Sequence, residues 1–143
     1  GELEVKAQGR LPNEAAAQAL CTQLSDLLIE HKLANQPLGI KELDLSKNKI
    51  PMSVLEELFL SNLVGVAVKR LKLFGCPTVG DEAMSVLSTF LSNVQMDEEL
   101  MELHLSDCAI KTDGFNELME AISGNPVFPI FRADANKYKP LYL

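Results

Sequence analysis

The most informative segment of this chain is Ile40-Lys41-Glu42-Leu43-Asp44-Leu45-Ser46-Lys47-Asn48-Lys49-Ile50. Its apolar residues stand at the first, fourth, sixth and last positions, and its asparagine stands two places before the end. The same spacing returns at residues 100–110, at residues 68–79 with one extra residue before the last apolar position, and, in a degenerate form, at residues 128–138. Repetition at this interval indicates several stacked copies of one structural unit.

Each copy is followed by apolar residues at helical spacing, which indicates a strand-turn-helix unit. Asn13 and Thr112 are predicted to cap two of these helices. The spacing L-x-x-L-x-L-x-x-N/C-x-L with a full helix resembles leucine-rich-repeat proteins of the ribonuclease-inhibitor-like class. The resemblance implies an α/β fold: a short right-handed solenoid of about four to five repeats, with a parallel sheet on the concave side and helices on the convex side.

The repeat boundaries predict a single domain. Val5 is predicted to anchor a divergent first copy, in the place that Leu45 takes in the clearest copy. We therefore divide the chain into residues 1–39 as a divergent N-terminal repeat or cap, residues 40–67, 68–99 and 100–127 as repeats, and residues 128–143 as a degenerate terminal repeat or cap. Because Gly1 stands where an initiator methionine is expected, we expect the domain to belong to a longer protein.

Composition narrows the class of partner. The 143 residues carry a formal net charge of −7, which repels phosphate backbones and disfavours direct binding of nucleic acid. No apolar run approaches the roughly 18–20 residues that span a bilayer, so we expect no membrane partner. The odd count of three cysteines has no disulfide spacing, which favours an intracellular location, cytoplasmic or nuclear.

Side chains between the apolar template positions are expected to point away from the core, because strand side chains alternate. They form three predicted columns across the strands: Glu42, Arg70, Glu102 and Ile130; Asp44, Lys72, His104 and Arg132; and Ser46, Phe74, Ser106 and Asp134. The first two columns alternate in the sign of their charge. This pattern is explained by cross-strand charge pairing or by a recognition face centred on Arg70, Lys72 and Phe74, and the two explanations are compatible.

Residues able to support catalysis do not form a recognisable set. The asparagine position of the template is expected to face inward, towards backbone groups of the turns; it holds Asn48, Cys76, Cys108 and Asn136. Cys108 is close in sequence to His104, but the two side chains are expected on opposite faces, which excludes a nucleophile pair. The histidines and cysteines lack metal-site spacing, and the glycines lack a phosphate-loop pattern. We therefore predict no enzyme, no cofactor and no metal.

The sequence thus predicts a non-enzymatic protein–protein interaction or scaffold domain that binds a protein partner on the concave face. The predicted contact residues are Glu42, Asp44, Arg70, Lys72, Phe74, Glu102, His104 and Arg132. Two alternatives stay open: a module of an RNA-associated complex, and self-association through an uncapped end of the solenoid. We expect a monomer or weak self-association through the ends.

Overall fold

The computed structural model describes residues 1–128. Its strands are β1 (Glu2–Lys6), β2 (Gly39–Asp44), β3 (Val68–Lys72) and β4 (Glu102–His104). Its helices are α1 (Glu14–Leu33), α2 (Met52–Glu57), α3 (Asp81–Ser92) and α4 (Thr112–Gly124), and α2 continues into a π-helical turn, Leu58–Asn62. The predictions made for residues 129–143, including the contact residue Arg132, lie outside the described residues.

The strands form one parallel sheet in which the spatial order, β1-β2-β3-β4, is also the order along the chain. A helix separates each strand from the next, as parallel neighbours require, because the chain must return to the same end of the sheet. Leu43 on β2 lies opposite Leu71 on β3, which lies opposite Leu103 on β4. The predicted α/β class and parallel sheet are confirmed.

The core is built from the inward side chains of the strands and one side of each helix. Leu43, Leu71 and Leu103 are fully buried. The rings of Phe59, after α2, and Phe90, in α3, meet edge to face with their centroids 5.3 Å apart, a favoured aromatic geometry. The helices also bury Cys21, Leu24, Val54, Leu55, Met84, Leu87, Leu118 and Ile122. Apolar contact therefore fixes each helix against the sheet and against its neighbouring helix.

The register of β1 corrects one prediction. Val5 pairs with Leu43, so it does not take the place of Leu45. That place belongs to Ala7, which is buried and donates its N–H to the carbonyl of the residue before Leu45, at 2.9 Å. The register shifts after Leu3, because β1 has one residue fewer than β2 between its first two inward side chains.

The turns that follow the strands share one backbone geometry. Each contains a single residue in the left-handed region: Gly9 (φ 64°), Lys47 (φ 58°), Gly75 (φ 67°) and Asp107 (φ 54°). Each stands two residues after an inward strand residue, as Lys47 stands after Leu45. Glycine enters this region freely, whereas a side chain makes it less favourable. The same backbone conformation therefore recurs at the same place after each of the four strands.

A series of side-chain hydrogen bonds, which we call the ladder, joins the turns after β2, β3 and β4 to the end of the preceding strand. The donors and acceptors are Asn48 Nδ2 to the Ala7 carbonyl (2.9 Å), Cys76 Sγ to the Leu45 carbonyl (3.3 Å) and Cys108 Sγ to the Leu73 carbonyl (3.0 Å). These carbonyls belong to equivalent positions of successive units. The prediction that the asparagine position serves backbone groups at the turns is confirmed for these three residues, while Asn136 lies outside the described residues.

The two predicted helix caps have different outcomes. Asn13 caps α1, since its Oδ1 accepts the Ala16 N–H at 2.8 Å. The predicted Thr112 cap is wrong, because Thr112 is the first residue of α4 and Lys111 takes the cap position without a side-chain bond. The acceptor comes instead from the preceding helix: Asp81 Oδ1 accepts the Lys111 N–H at 2.8 Å. A cap supplied by another unit leaves no local signal in the sequence.

Candidate interaction surface

The sheet turns one face away from the core, and we call it the outer face. It is defined by Glu42, Asp44, Arg70, Lys72, Phe74, Glu102 and His104. Glu42 lies opposite Arg70, which lies opposite Glu102, and Asp44, Lys72 and His104 are aligned in the same way. The first two predicted columns are therefore confirmed on β2, β3 and β4. Their remaining members, Ile130 and Arg132, and Asp134 of the third column lie outside the described residues.

Glu42 is the centre of charge pairing on the outer face. Its Oε1 lies 2.9 Å from Lys72 Nζ and 3.6 Å from Arg70 Nε, and the residue is only 6% exposed. The hydrogen bond from Lys72 lowers the pKa of Glu42, and the charges of Lys72, Arg70 and Lys6 lower it further, against the opposing effect of burial. Cross-strand charge pairing is confirmed here, with Lys72 reaching diagonally to Glu42 rather than straight across to Asp44.

Asp44 has a local role at the end of β2. Its Oδ1 accepts the backbone N–H of Ser46 at 3.1 Å, and the residue is 8% exposed. A short acidic side chain that bonds to the backbone two residues later is typical of a turn. Asp44 and Glu42 therefore position neighbouring groups of the outer face, and they offer a partner little accessible surface.

The cations and the aromatic ring of β3 and its turn are an accessible part of the outer face, as are Glu102 and His104 on β4. Arg70, Lys72 and Phe74 are all partly exposed. Lys47 Nζ lies 5.8 Å from the centroid of the Phe74 ring, within the range of a cation–π contact. Together they form a mixed cationic and aromatic patch.

His104 and Cys108 do not form a nucleophile pair. His104 Nε2 lies 3.7 Å from Glu102 Oε2 on the same strand, whereas Cys108 Sγ donates to the Leu73 carbonyl. Burial raises the pKa of the Cys108 thiol, which makes the reactive thiolate scarcer at neutral pH. The two side chains thus serve separate contacts.

Sequence reasoning missed three residues beside the predicted columns. Lys41, Lys69 and Met101 line a cavity of about 310 Å³ together with Arg70 and Glu102. The template has two residues between its first and second apolar positions, and both point outward. Strict alternation along the strand assigned only the second of them to the outer face. The spacing L-x-x-L was the signal that could have identified the first of these two residues as outward-facing.

A second cleft lies beyond the sheet face, beside β4 and α4. It has a volume of about 550 Å³ and is lined mainly by apolar side chains, among them Leu105, Ile110, Phe115, Leu118 and Met119. Phe115 is 49% exposed. This cleft is an apolar surface on the last described unit.

Within residues 1–128, no group of three or more histidine, cysteine, aspartate or glutamate side chains is placed to hold a metal ion. No helix in that range has the length and apolar character needed to cross a membrane.

No protein-family model matches the chain, and no curated protein matches it significantly.

The outer face can bind through charge and through aromatic contact. Lys72 and Arg70 hold the carboxylate of Glu42 from the neighbouring strand, so these two cations are already positioned before any partner binds. A surface fixed in advance loses less conformational entropy on binding. These features suit recognition of another macromolecule.

Proposed function

We propose that this protein is a leucine-rich-repeat solenoid, with a right-handed course, whose outer face binds a protein partner without catalysing a reaction. The proposal of repeats is supported by the chain-order sheet, by the left-handed residue in each turn and by the ladder from each turn to the preceding unit. Units that cannot bury their apolar side alone are expected to stack in this way.

The observation that carries the binding proposal is the patch of Arg70 and Phe74 beside the buried carboxylate of Glu42. Arginine and aromatic residues contribute a large share of the binding energy at protein interfaces. Lys72 holds Glu42 at 2.9 Å, which keeps the strand surface ordered beneath the patch. We treat Lys72 as a support of the patch, because its removal leaves a buried carboxylate with a weaker partner.

The test is affinity capture from cell extract with the full chain, followed by titration of the identified protein in purified form. The test variant is Arg70→Ala with Phe74→Ala, which leaves the pair of Lys72 and Glu42 intact. The control variant is Lys32→Ala with Phe115→Ala, which removes one exposed cation and one exposed aromatic side chain from the helices. We expect the test variant to weaken binding of the purified protein by at least about tenfold, and the control to bind like the wild type.

Three results would count against this proposal. Equal binding by both variants would exclude the patch as the contact surface. Capture that disappears after nuclease treatment would favour the alternative of a module in an RNA-associated complex. Loss of binding in the control alone would move the contact to the helices or to the cleft at Phe115.

A second candidate is self-association through the last described unit. It is favoured by the cleft of about 550 Å³ lined by apolar residues, including Ile110, Phe115 and Met119, because an exposed apolar surface is typical of interaction sites. Light scattering at increasing concentration tests it: a mass that rises in the wild type and not in Phe115→Ala would support self-association. The intracellular location inferred from the unpaired cysteines stays a prediction.

A further inference from the structure

The residues that precede Glu42, Arg70 and Glu102 form a further column across the strands. It consists of Lys41, Lys69 and Met101, and its charges do not alternate in sign. Because Glu42 lies opposite Arg70, the preceding residues Lys41 and Lys69 stand side by side on β2 and β3. The Met101 N–H donates to the Lys69 carbonyl at 2.7 Å, which brings Met101 to the same level on the next strand. The neighbouring columns alternate in sign, whereas this one places two cations together, an arrangement that disfavours folding.

Both lysines find only exposed acids on the first strand as partners among the described residues. Lys69 Nζ lies 2.8 Å from Glu2 Oε2, and Lys41 Nζ lies 3.5 Å from Glu4 Oε1. The side chains in these pairs are between 42% and 50% exposed. Exposed ion pairs are weak and are screened by salt. These ion pairs therefore open easily, and a carboxylate from outside the chain can compete with Glu2 and Glu4 for the two lysines.

The cavity between these side chains has the chemistry of a site for an anion with an apolar neighbour. Lys41, Lys69 and Arg70 contribute three cations to its lining, and Glu102 contributes one carboxylate. Arg70 approaches Glu42 through Nε at 3.6 Å, which leaves the outer end of its guanidinium for a further acceptor. Met101 is 49% exposed and adds an apolar surface.

We propose that this cavity binds an extended, acidic segment of the protein partner. This inference rests on the proposed function and names the chemistry of the partner. Carboxylates would contact Lys41, Lys69 and Arg70, and an apolar side chain would cover Met101. The cavity crosses β2, β3 and β4, a distance of about 10 Å at a strand spacing of about 4.8 Å. In an extended segment, side chains two residues apart are about 7 Å apart and point the same way, so acidic residues at alternate positions fit this span.

A nucleic acid is a poorer fit than an acidic protein segment. The helices carry ten acidic side chains against the single lysine Lys32 within residues 1–128: Glu14, Asp26, Glu30, Glu56, Glu57, Asp81, Glu82, Asp113, Glu117 and Glu120. A phosphate backbone carries closely spaced negative charges and is longer than this small cavity. The part that extends beyond the cavity is repelled by the negative potential of the helices. One or two carboxylates placed in the cavity do not extend that far.

The experiment is a titration of the full chain, labelled with ¹⁵N and observed by NMR, with three defined probes. The first is a short peptide in which glutamate alternates with serine and a leucine follows. The second is the same peptide with glutamine in place of glutamate, and the third is oligouridylate. We expect the glutamate peptide alone to shift the resonances of Lys41, Lys69, Arg70 and Met101. Lys41→Ala with Lys69→Ala should weaken its binding about tenfold, while Lys32→Ala with Lys111→Ala should leave it unchanged.

Four results would overturn the inference, and each is distinguishable from failure of the proposed function. Equal binding of the glutamine peptide would remove the role of charge, and binding of oligouridylate at the same resonances would indicate nucleic acid. Shifts confined to Phe74 and His104 would place the acidic segment elsewhere on the outer face. Absence of any shift would exclude the cavity. The proposed function fails separately, if the Arg70→Ala and Phe74→Ala variant still binds the captured partner.

Discussion

Asn48 illustrates how one side chain can satisfy several backbone groups where parallel strands end. Its Nδ2 donates to the carbonyls of Ala7, Leu45 and Ser46 at 2.9–3.1 Å, and its Oδ1 accepts the Leu11 N–H at 2.9 Å. The residue is buried, so water cannot substitute for it. A cysteine at the same position makes fewer bonds, because a thiol has a single, weak donor.

Asn48→Ala is therefore expected to lower the free energy of unfolding by about 3 kcal/mol, since it leaves several buried backbone groups unsatisfied. Urea denaturation followed by circular dichroism measures the change. Asn116→Ala is the matched control, because Asn116 is exposed on α4 and alanine favours helix. A loss of stability no larger than that of the control would show that the bonds of Asn48 are dispensable.

The ion pairs of Glu42 make folding stability depend on pH. The pKa of Glu42 is lowered in the folded protein, chiefly by the hydrogen bond from Lys72. A lowered pKa means that the unfolded chain takes up a proton first as the pH falls. The stabilising contribution is thus complete above about pH 5 and is lost as the pH falls through the pKa of the folded state.

Glu42→Gln is expected to reduce stability at neutral pH and to flatten its decline below about pH 4.5. Urea denaturation over a series of pH values tests both effects. Glu120→Gln, at an exposed position of α4, serves as the control and should retain the wild-type profile. An unchanged acid slope in Glu42→Gln would mean that other carboxylates govern acid unfolding.

At the scale of elements, the contact between α3 and α4 depends on a glycine. A Cβ placed on Gly114 would lie 2.9 Å from the Cα of Asp81 and would also collide with its carboxylate. The same carboxylate accepts the Lys111 N–H at the start of α4. The close approach of the two helices and the cap that one provides for the other are therefore a single feature.

Gly114→Ala is expected to lower the free energy of unfolding by about 2 kcal/mol, because the clash with backbone outweighs the better helix propensity of alanine. Gly124→Ala is the control: it is the last residue of α4, and nothing lies within 4 Å of its added Cβ. Thermal denaturation should show a reduced midpoint for the first variant and an equal or higher midpoint for the second. Equal midpoints for Gly114→Ala and the wild type would indicate that the helices separate easily.

The order and type of the elements could be predicted because their signals are local. Leu43 and Asn48 belong to a spacing that recurs in each unit, and this spacing determines which side chains enter the core. Val5 was misplaced because β1 lacks one residue of the template, so its register depends on pairing with β2. Thr112 was misassigned because its helix is capped by Asp81, which belongs to the preceding unit.

The candidate site was less accessible to prediction than the fold. The alternating charges of Glu42 and Arg70 followed from the strand pattern, and their alignment is confirmed. The burial of Asp44 and the cavity beside Lys41 could not be predicted from the pattern along a single strand, because both depend on how side chains from different strands pack together. The contact of Lys69 with Glu2 spans from β3 to β1, a distance that no local pattern encodes.

At the scale of the whole molecule, charge is divided between the two sides. The helices hold the ten acidic side chains named above, whereas acids and cations are matched in number on the strands, five of each. The net charge of −7 therefore describes the helical side more than the sheet. An acidic partner approaching the sheet is repelled far less than the total charge suggests, particularly at physiological salt, where the Debye length is about 8 Å.

The chain-order sheet and the turn-to-turn ladder also govern how the molecule would respond to tension. Among the described residues, each strand forms backbone hydrogen bonds only with the strands next to it, and among the helices each one packs only against the helical segments before and after it. A force that pulls residues 1 and 128 apart acts across the stack and loads one boundary at a time, rather than shearing all the strands together. The described part of the chain would lengthen in successive small steps, each releasing one strand and its helix.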